Sequence, residues 1–340
     1  MKKSIGKHLI QIFFFLLPLW VLMLYASLFP MNYMEIEYPA WVQQLDFAKK
    51  GTAYDILIIG DSRSKAGLIP DELSPHTYNM SVGGATSIEM FYTLTKYLEN
   101  HQAPSYAFLI FAPKHVTEID NWNQTLLYNY LDFKELAQVY YHAARFHDPT
   151  VCSGFYVKDY FFYKTRFPTR YLLFMHNAGF IGNRRANMEK YKELNESRGH
   201  MLYGTDPGND LFNYEVSYKS FQKSPLVDYY YHKLLDLCME HQIEVIVEQA
   251  PMNAGSYDFL TPSYYDGYVH YMKSIQEEYP SITLNPYVPR YDNEFFGDTN
   301  HLNLKGATKF SHELRNKYPS IFLSPEQSGQ AHVSSPSPHS

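Results

Sequence analysis

The chain has 340 residues, 45% of them hydrophobic and 19% charged, with a formal net charge of −6. That balance argues against a nucleic-acid partner, because phosphate binding needs a basic face. Its two cysteines, Cys152 and Cys238, belong to no Cys-x-x-Cys or His/Cys cluster, so no zinc motif is present, and sequence alone leaves their pairing open.

Residues 9–29 are apolar apart from Gln11 and Ser27. A helix of that length spans roughly 30 Å, enough to cross the hydrocarbon core of a bilayer. Lys2, Lys3 and Lys7 precede it, which predicts a cytoplasmic N-terminus and an extracytoplasmic main domain on a single-pass cell-membrane protein. A cleaved signal peptide is the competing reading, but Tyr25-Ala26-Ser27-Leu28 fits a small-x-small cleavage site poorly, and an uncleaved anchor is expected. Residues 1–30 are thus read as cytoplasmic tail and anchor. Residues 31–54 are read as a linker or stalk, with a weak helical pattern over Pro39–Lys50.

From residue 55 to 323 short apolar runs alternate with helical patterns, which predicts one α/β domain built on a doubly wound parallel sheet. The expected strands are Asp55–Ile59, Thr77–Val82, Tyr106–Phe111, Glu244–Glu248 and the short Ile282–Leu284. Helices are expected after Thr86 or Ser87, over Leu226–Gln242, over Tyr264–Tyr279, and from a cap at Asn303 to about Lys317. Residues 114–224 break the rhythm and read as a long aromatic-rich insertion. Aromatic residues make up 17% of the chain, with 32 tyrosines, which suits a carbohydrate or protein surface as well as a tyrosine-rich core. Residues 324–340 form a Ser/Pro/His-rich tail without the apolar content to fold.

Two segments carry chemistry. Ile56-Leu57-Ile58-Ile59-Gly60-Asp61-Ser62 is an apolar run that stops at a serine in a tight turn, and Gly297-Asp298-Thr299-Asn300-His301 places an aspartate three residues before a histidine. In an open α/β sheet, sites form at the carboxyl ends of strands, where Ser62 falls. Ser62 is the candidate nucleophile, His301 its base and Asp298 the group that orients the base. The bland readings are a helix cap at Asp61-Ser62 and a surface turn at Asp298-Thr299-Asn300. Backbone N–H groups at Ser62 and at Gly83 or Gly84 are candidate oxyanion donors. Arg63, Lys65 and Lys114 follow strand ends, where they could hold an anionic substrate, though for each one alone solvated surface charge is the favoured reading. His115-x-x-Glu118 and the His142, His147 pair have loosely metal-like spacing without a third ligand, so neither a metal nor a cofactor is expected.

The pairing of a Gly-Asp-Ser turn near the start with a terminal Asp-x-x-His resembles the SGNH (GDSL-like) hydrolase superfamily. The resemblance implies a flavodoxin-like sheet and a Ser62-His301-Asp298 triad. The superfamily usually adds a side-chain asparagine in a Gly-x-Asn-Asp block after strand three. Here that strand ends Phe111-Ala112-Pro113-Lys114-His115, with Asn121 and Asn123 nearby but outside the motif. The chain looks most like the membrane-anchored branch that includes the D-alanyl-transfer protein of teichoic acid synthesis and the alginate acetylation proteins, because Pro251-Met252-Asn253 follows strand four. That similarity implies a serine acyltransferase or esterase acting on acyl groups of a cell-surface glycan or polyol polymer. It also implies a substrate-binding or oxyanion role for Asn253, and work beside a membrane-bound O-acyltransferase. The alternative is a non-catalytic binding or assembly subunit that keeps the fold.

Overall fold

The computed structural model describes residues 2–28, 33–154, 156–158, 176, 179 and 182–323; the expected tail at 324–340 and much of 155–181 lie outside them. The first element, α1 (Lys2–Leu28), contains a stretch, Ile5–Leu22, of mean hydropathy 1.8 and no buried residue, long and apolar enough to cross a membrane. Next comes α2 (Tyr38–Lys50), where the sequence placed a linker or stalk. It packs into the domain instead, with Trp41, Ala40, Gln43 and Gln44 fully buried.

The central sheet has five parallel strands in the order β2-β1-β3-β4-β6. These are β1 (Ile56–Gly60), β2 (Thr77–Asn79), β3 (Tyr106–Ile110), β4 (Glu244–Glu248) and β6 (Thr283–Leu284). A small parallel pair, β5 (Met252–Asn253) with β7 (Arg290–Tyr291), lies apart. The order is compatible with a flavodoxin-like fold, and it puts the ends of β1 and β3 side by side, Gly60 against Ile110. Strand two is shorter than its apolar pattern, yet Met80 and Val82 still donate to Ile58 and Gly60 carbonyls at 2.7 and 3.0 Å. That contact carries Gly83 and Gly84 alongside the end of β1.

Strand residues alternate between two cores, which is why the strands read as unbroken apolar runs. Leu57, Ile59, Ala107, Leu109, Val245 and Val247 face the larger one. It is covered by α2, by the helix Ser87–Leu98 and by the helix Pro225–Glu240, whose N-cap is Ser224. Ile56, Ile58, Phe108, Ile110 and Ile246 face the smaller core, under the helix Leu304–Lys317. Burying one such side chain stabilises by about 1.5–3 kcal/mol, so a one-residue slip in β1 would exchange the two faces and is strongly opposed.

Between β3 and Pro225 the described residues form helices, among them Lys114–Thr117, Trp122–Leu127, Phe133–Phe146 and Gly182–Glu196. Thr86 and Glu89 make a capping box at the start of Ser87–Leu98, and Asn303 accepts from Gly306 N–H at the start of Leu304–Lys317. Both cysteines are free thiols, Cys238 buried and Cys152 exposed.

Candidate active site

Ser62 is the first residue of the short helix α3 (Ser62–Gly67), directly beyond β1. Asp61 caps that helix by accepting from Arg63 N–H at 2.8 Å, so the expected cap belongs to Asp61 and leaves the Ser62 hydroxyl free. The hydroxyl lies 2.8 Å from Nε2 of His301, and Nδ1 of His301 lies 2.8 Å from Oδ2 of Asp298. A carboxylate against Nδ1 holds the proton there, which leaves Nε2 as the acceptor for the Ser62 O–H. Asp298 also accepts from the Asn300 and His301 N–H groups, both at 2.8 Å. Burial pushes its carboxyl up, but the His301 bond and charge and these two N–H donors outweigh that and hold it below its ordinary value. The sequence thus placed three side chains that the fold brings within hydrogen-bond reach across 239 residues.

The turn after Val82 supplies backbone donors. Among the described residues, neither Gly83 N–H nor Gly84 N–H has a partner within the chain. Gly84 has φ +66, and a Cβ there would fall 1.6 Å from Nδ2 of Asn121, so both backbone and space demand glycine. Asn121 is thus pressed against this turn, although it lies outside any recognisable motif.

Asn253 takes a different place from the one the resemblance implied. It is fully buried; Oδ1 accepts from Ser256 N–H at 2.7 Å, and Nδ2 donates to Leu211 and Thr299 carbonyls at 3.2 and 3.3 Å. Its amide braces the loop that carries Asp298 and His301, with no donor left for substrate. The three basic residues are neither solvated surface charges nor free anion ligands. Arg63 is buried in an ion pair with Glu215, Lys114 pairs with Asp120, and Lys65 donates to Ser81 and Gly199 carbonyls at 3.1 and 2.9 Å. None stands in solvent as a ready anion site.

Sequence reasoning also missed the polar layer behind Ser62. Asp61 is fully buried and accepts from Ala112 N–H at 2.7 Å and from His115 Nδ1 at 2.6 Å. Burial pushes its carboxyl up, yet the His115 bond and charge, the Arg63 charge and the Ala112 N–H bring it down to about 2. His115 Nε2 faces Asp120 Oδ2 at 3.4 Å. His115 is therefore held between two carboxylates. Its place just past β3, the strand beside β1, was the available signal.

The segment 199–213 laces over the site. Met201 N–H donates to Lys65 O at 3.2 Å, Asp206 N–H to Gly297 O at 3.2 Å, and Asn213 N–H to Ser256 Oγ at 2.8 Å. From it Tyr203 lays its ring on that of His301, with centroids 4.7 Å apart and planes at 26°.

No protein-family model matches this chain, and no curated protein matches it.

Proposed function

We propose that this protein is a membrane-anchored serine acyltransferase or esterase of the SGNH hydrolase type, acting outside the cell on acyl groups of a surface glycan or polyol polymer. The observation that carries this reading is the continuous Ser62–His301–Asp298 chain of hydrogen bonds at the carboxyl end of β1. In this reading Ser62 Oγ attacks an acyl carbonyl while its proton passes to His301 Nε2. The tetrahedral oxyanion is met by N–H groups of Ser62 and of Gly83 or Gly84, with the Asn121 amide beside them. His301 returns the proton to the leaving group, and the acyl-serine is then taken by a polymer hydroxyl or by water. Asp298 keeps the imidazole oriented and supports its positive charge.

The anchor supports a site that works close to the bilayer. Lys2, Lys3 and Lys7 ahead of the apolar span favour a cytoplasmic N-terminus. Tyr33 is already held on the domain, its carbonyl accepting from Asn187 at 2.6 Å. The chain from Leu28 to Tyr33 reaches at most about 18 Å. Glu37, a few residues on, lies beside Gly83, with Oε2 3.7 Å from where a Cβ would stand. A membrane-bound O-acyltransferase delivering the acyl group fits this placement, with residues 114–224 as an insertion that contacts polymer or partner.

A second reading, a non-catalytic assembly subunit, draws on the exposed side chains Leu211, Phe212, Tyr214 and Phe259 near the site, where Phe212 and Phe259 rings meet at 5.0 Å. Treating the purified protein with a fluorophosphonate separates the two readings. An activated serine gives a covalent adduct mapped to Ser62, lost in His301→Ala. Folded protein that stays unmodified contradicts the enzyme and leaves the assembly reading.

A further inference from the structure

Tyr203 presents a hydroxyl that no group in the described chain uses. Its oxygen is sealed from solvent and has no hydrogen-bond partner. A buried donor without an acceptor costs roughly 1–3 kcal/mol, so its retention calls for an explanation. The position supplies one. The ring stacks on His301, while the hydroxyl end reaches the oxyanion turn: a Cβ on Gly83 would fall 2.6 Å from it. One side chain thus touches both the proposed base and the glycine turn. It is held there firmly, because Met201 N–H and Asp206 N–H on either side are bonded to Lys65 and Gly297 carbonyls.

We propose that the Tyr203 hydroxyl is a side-chain oxyanion donor, hydrogen-bonding the acyl oxygen as the tetrahedral intermediate forms. The inference rests on the serine acyl-transfer reading. When Ser62 Oγ bonds to the acyl carbon, the carbonyl π pair moves onto oxygen and the serine proton goes to His301; Tyr203 keeps its own proton and shares it as a hydrogen bond. Burial, with the Glu37 and Asp61 charges nearby, pushes the phenol well above its ordinary value, so it stays a donor at every working pH. Glycine at 83 follows from the same contact, since any side chain there would displace the hydroxyl. The chain lacks the asparagine block after β3, and this tyrosine supplies a donor from the segment 199–213 instead.

Tyr203→Phe in the full-length protein, purified in detergent, tests this. The variant keeps the ring on His301 and deletes only the hydroxyl. With p-nitrophenyl acetate, kcat should fall about 100-fold or more, the usual effect of losing one oxyanion donor, while KM changes little. Phosphonylation of Ser62 by a fluorophosphonate should slow by a similar factor and still map to Ser62. The thermal midpoint should hold or rise, since an unpaired buried group has been removed. A kcat within about threefold of the parent overturns the proposal, and so does a lowered midpoint that accompanies the loss, which would mark a structural hydroxyl. A parent protein that neither turns over the ester nor labels at Ser62 overturns the serine reading itself, a separate result.

Discussion

Oδ2 of Asp61 and Nδ1 of His115 stand 2.6 Å apart, with side chains 0% and 4% exposed, immediately behind the proposed nucleophile. The contact ties the end of β1 to the segment after β3, and Ala112 N–H reinforces it from the same side. Ser62 is therefore mounted on a buried, charge-paired support rather than on a free loop.

Removing one partner of a buried ion pair strands the other charge, at a cost of about 3–5 kcal/mol. His115→Ala should accordingly lose about that much in urea unfolding, and Asp61→Asn/His115→Ala should lose less than the sum of the two single changes. The pH window follows from the shifts. The Asp61 carboxyl is lowered from 3.8 to about 2, so its contribution is present above pH 3.8 and lost as pH falls toward 2. The imidazole of His115 is lowered by burial but raised more by its bonds to Asp120 and Asp61. Its contribution is full below 6.5 and lost as pH rises through the higher folded value. The stability gap between parent and His115→Ala should thus be widest between about pH 4 and 6.5. A gap that stays flat from acid to alkali would contradict the pairing.

Lys65 leads to the opposite slope. Burial drives its amine down from 10.5 to about 7, while Nζ donates to the Ser81 and Gly199 carbonyls. Above pH 7 the unfolded chain binds more protons than the folded one, so this group makes stability rise with pH. The rise should be clear between about pH 7 and 9, below the range where tyrosines titrate. Lys65→Met should flatten that slope and loosen the 199–213 segment, measured as faster amide exchange there. An unchanged slope would mean that Lys65 stays protonated in the folded protein.

The sheet was readable because its strands are buried on both faces, so β1, β3 and β4 stand out as apolar runs. Asn303 announced the helix it caps, and the contact of Ser62 with His301, and of His301 with Asp298, was legible because each half sits in a short local block. The rest depended on distance in sequence. Nothing local tells that Asp61 meets His115, that Asn253 braces Leu211 and Thr299, or that Tyr203 stacks on His301. Arg63, Lys65 and Lys114 read as solvated surface charge or as anion ligands because charge is visible in a sequence while the partner that neutralises it is not. The pattern over Pro39–Lys50 was weak for a related reason: the buried face of α2 includes Gln43 and Gln44, whose burial depends on partners such as Asn79, Tyr78 and Asn195.

The apolar helix predicts a topology. With Lys2, Lys3 and Lys7 kept inside, a cysteine introduced at exposed Phe133 should react with a membrane-impermeant maleimide on intact cells. The native exposed thiol Cys152 should be replaced by serine first, so that the signal belongs to the new site. The protein should sediment with membranes and stay there in high salt. Reaction only after lysis would place the domain in the cytoplasm, and release into the medium would mean that the helix is a cleaved leader.

The decisive substitution is Ser62→Ala. Ser62 Oγ bonds His301, whereas the cap of α3 is made by Asp61, so losing the hydroxyl should cost about 1 kcal/mol or less in stability. Loss of a nucleophile should instead lower the acylation rate by several orders of magnitude. His301→Ala should match it, and the double variant should be hardly worse, because the two groups act as a unit on one proton. Asp298→Asn should leave more activity than either, since the imidazole remains but its orientation and charge support weaken. The measurement is the acyl content of the surface polymer from cells that carry each variant as their sole copy, with protein level checked in parallel. Unaltered acylation with Ser62→Ala would make the triad a relic of geometry and assign the protein to assembly, where the exposed Leu211, Phe212, Tyr214 and Phe259 would become the side chains to mutate next.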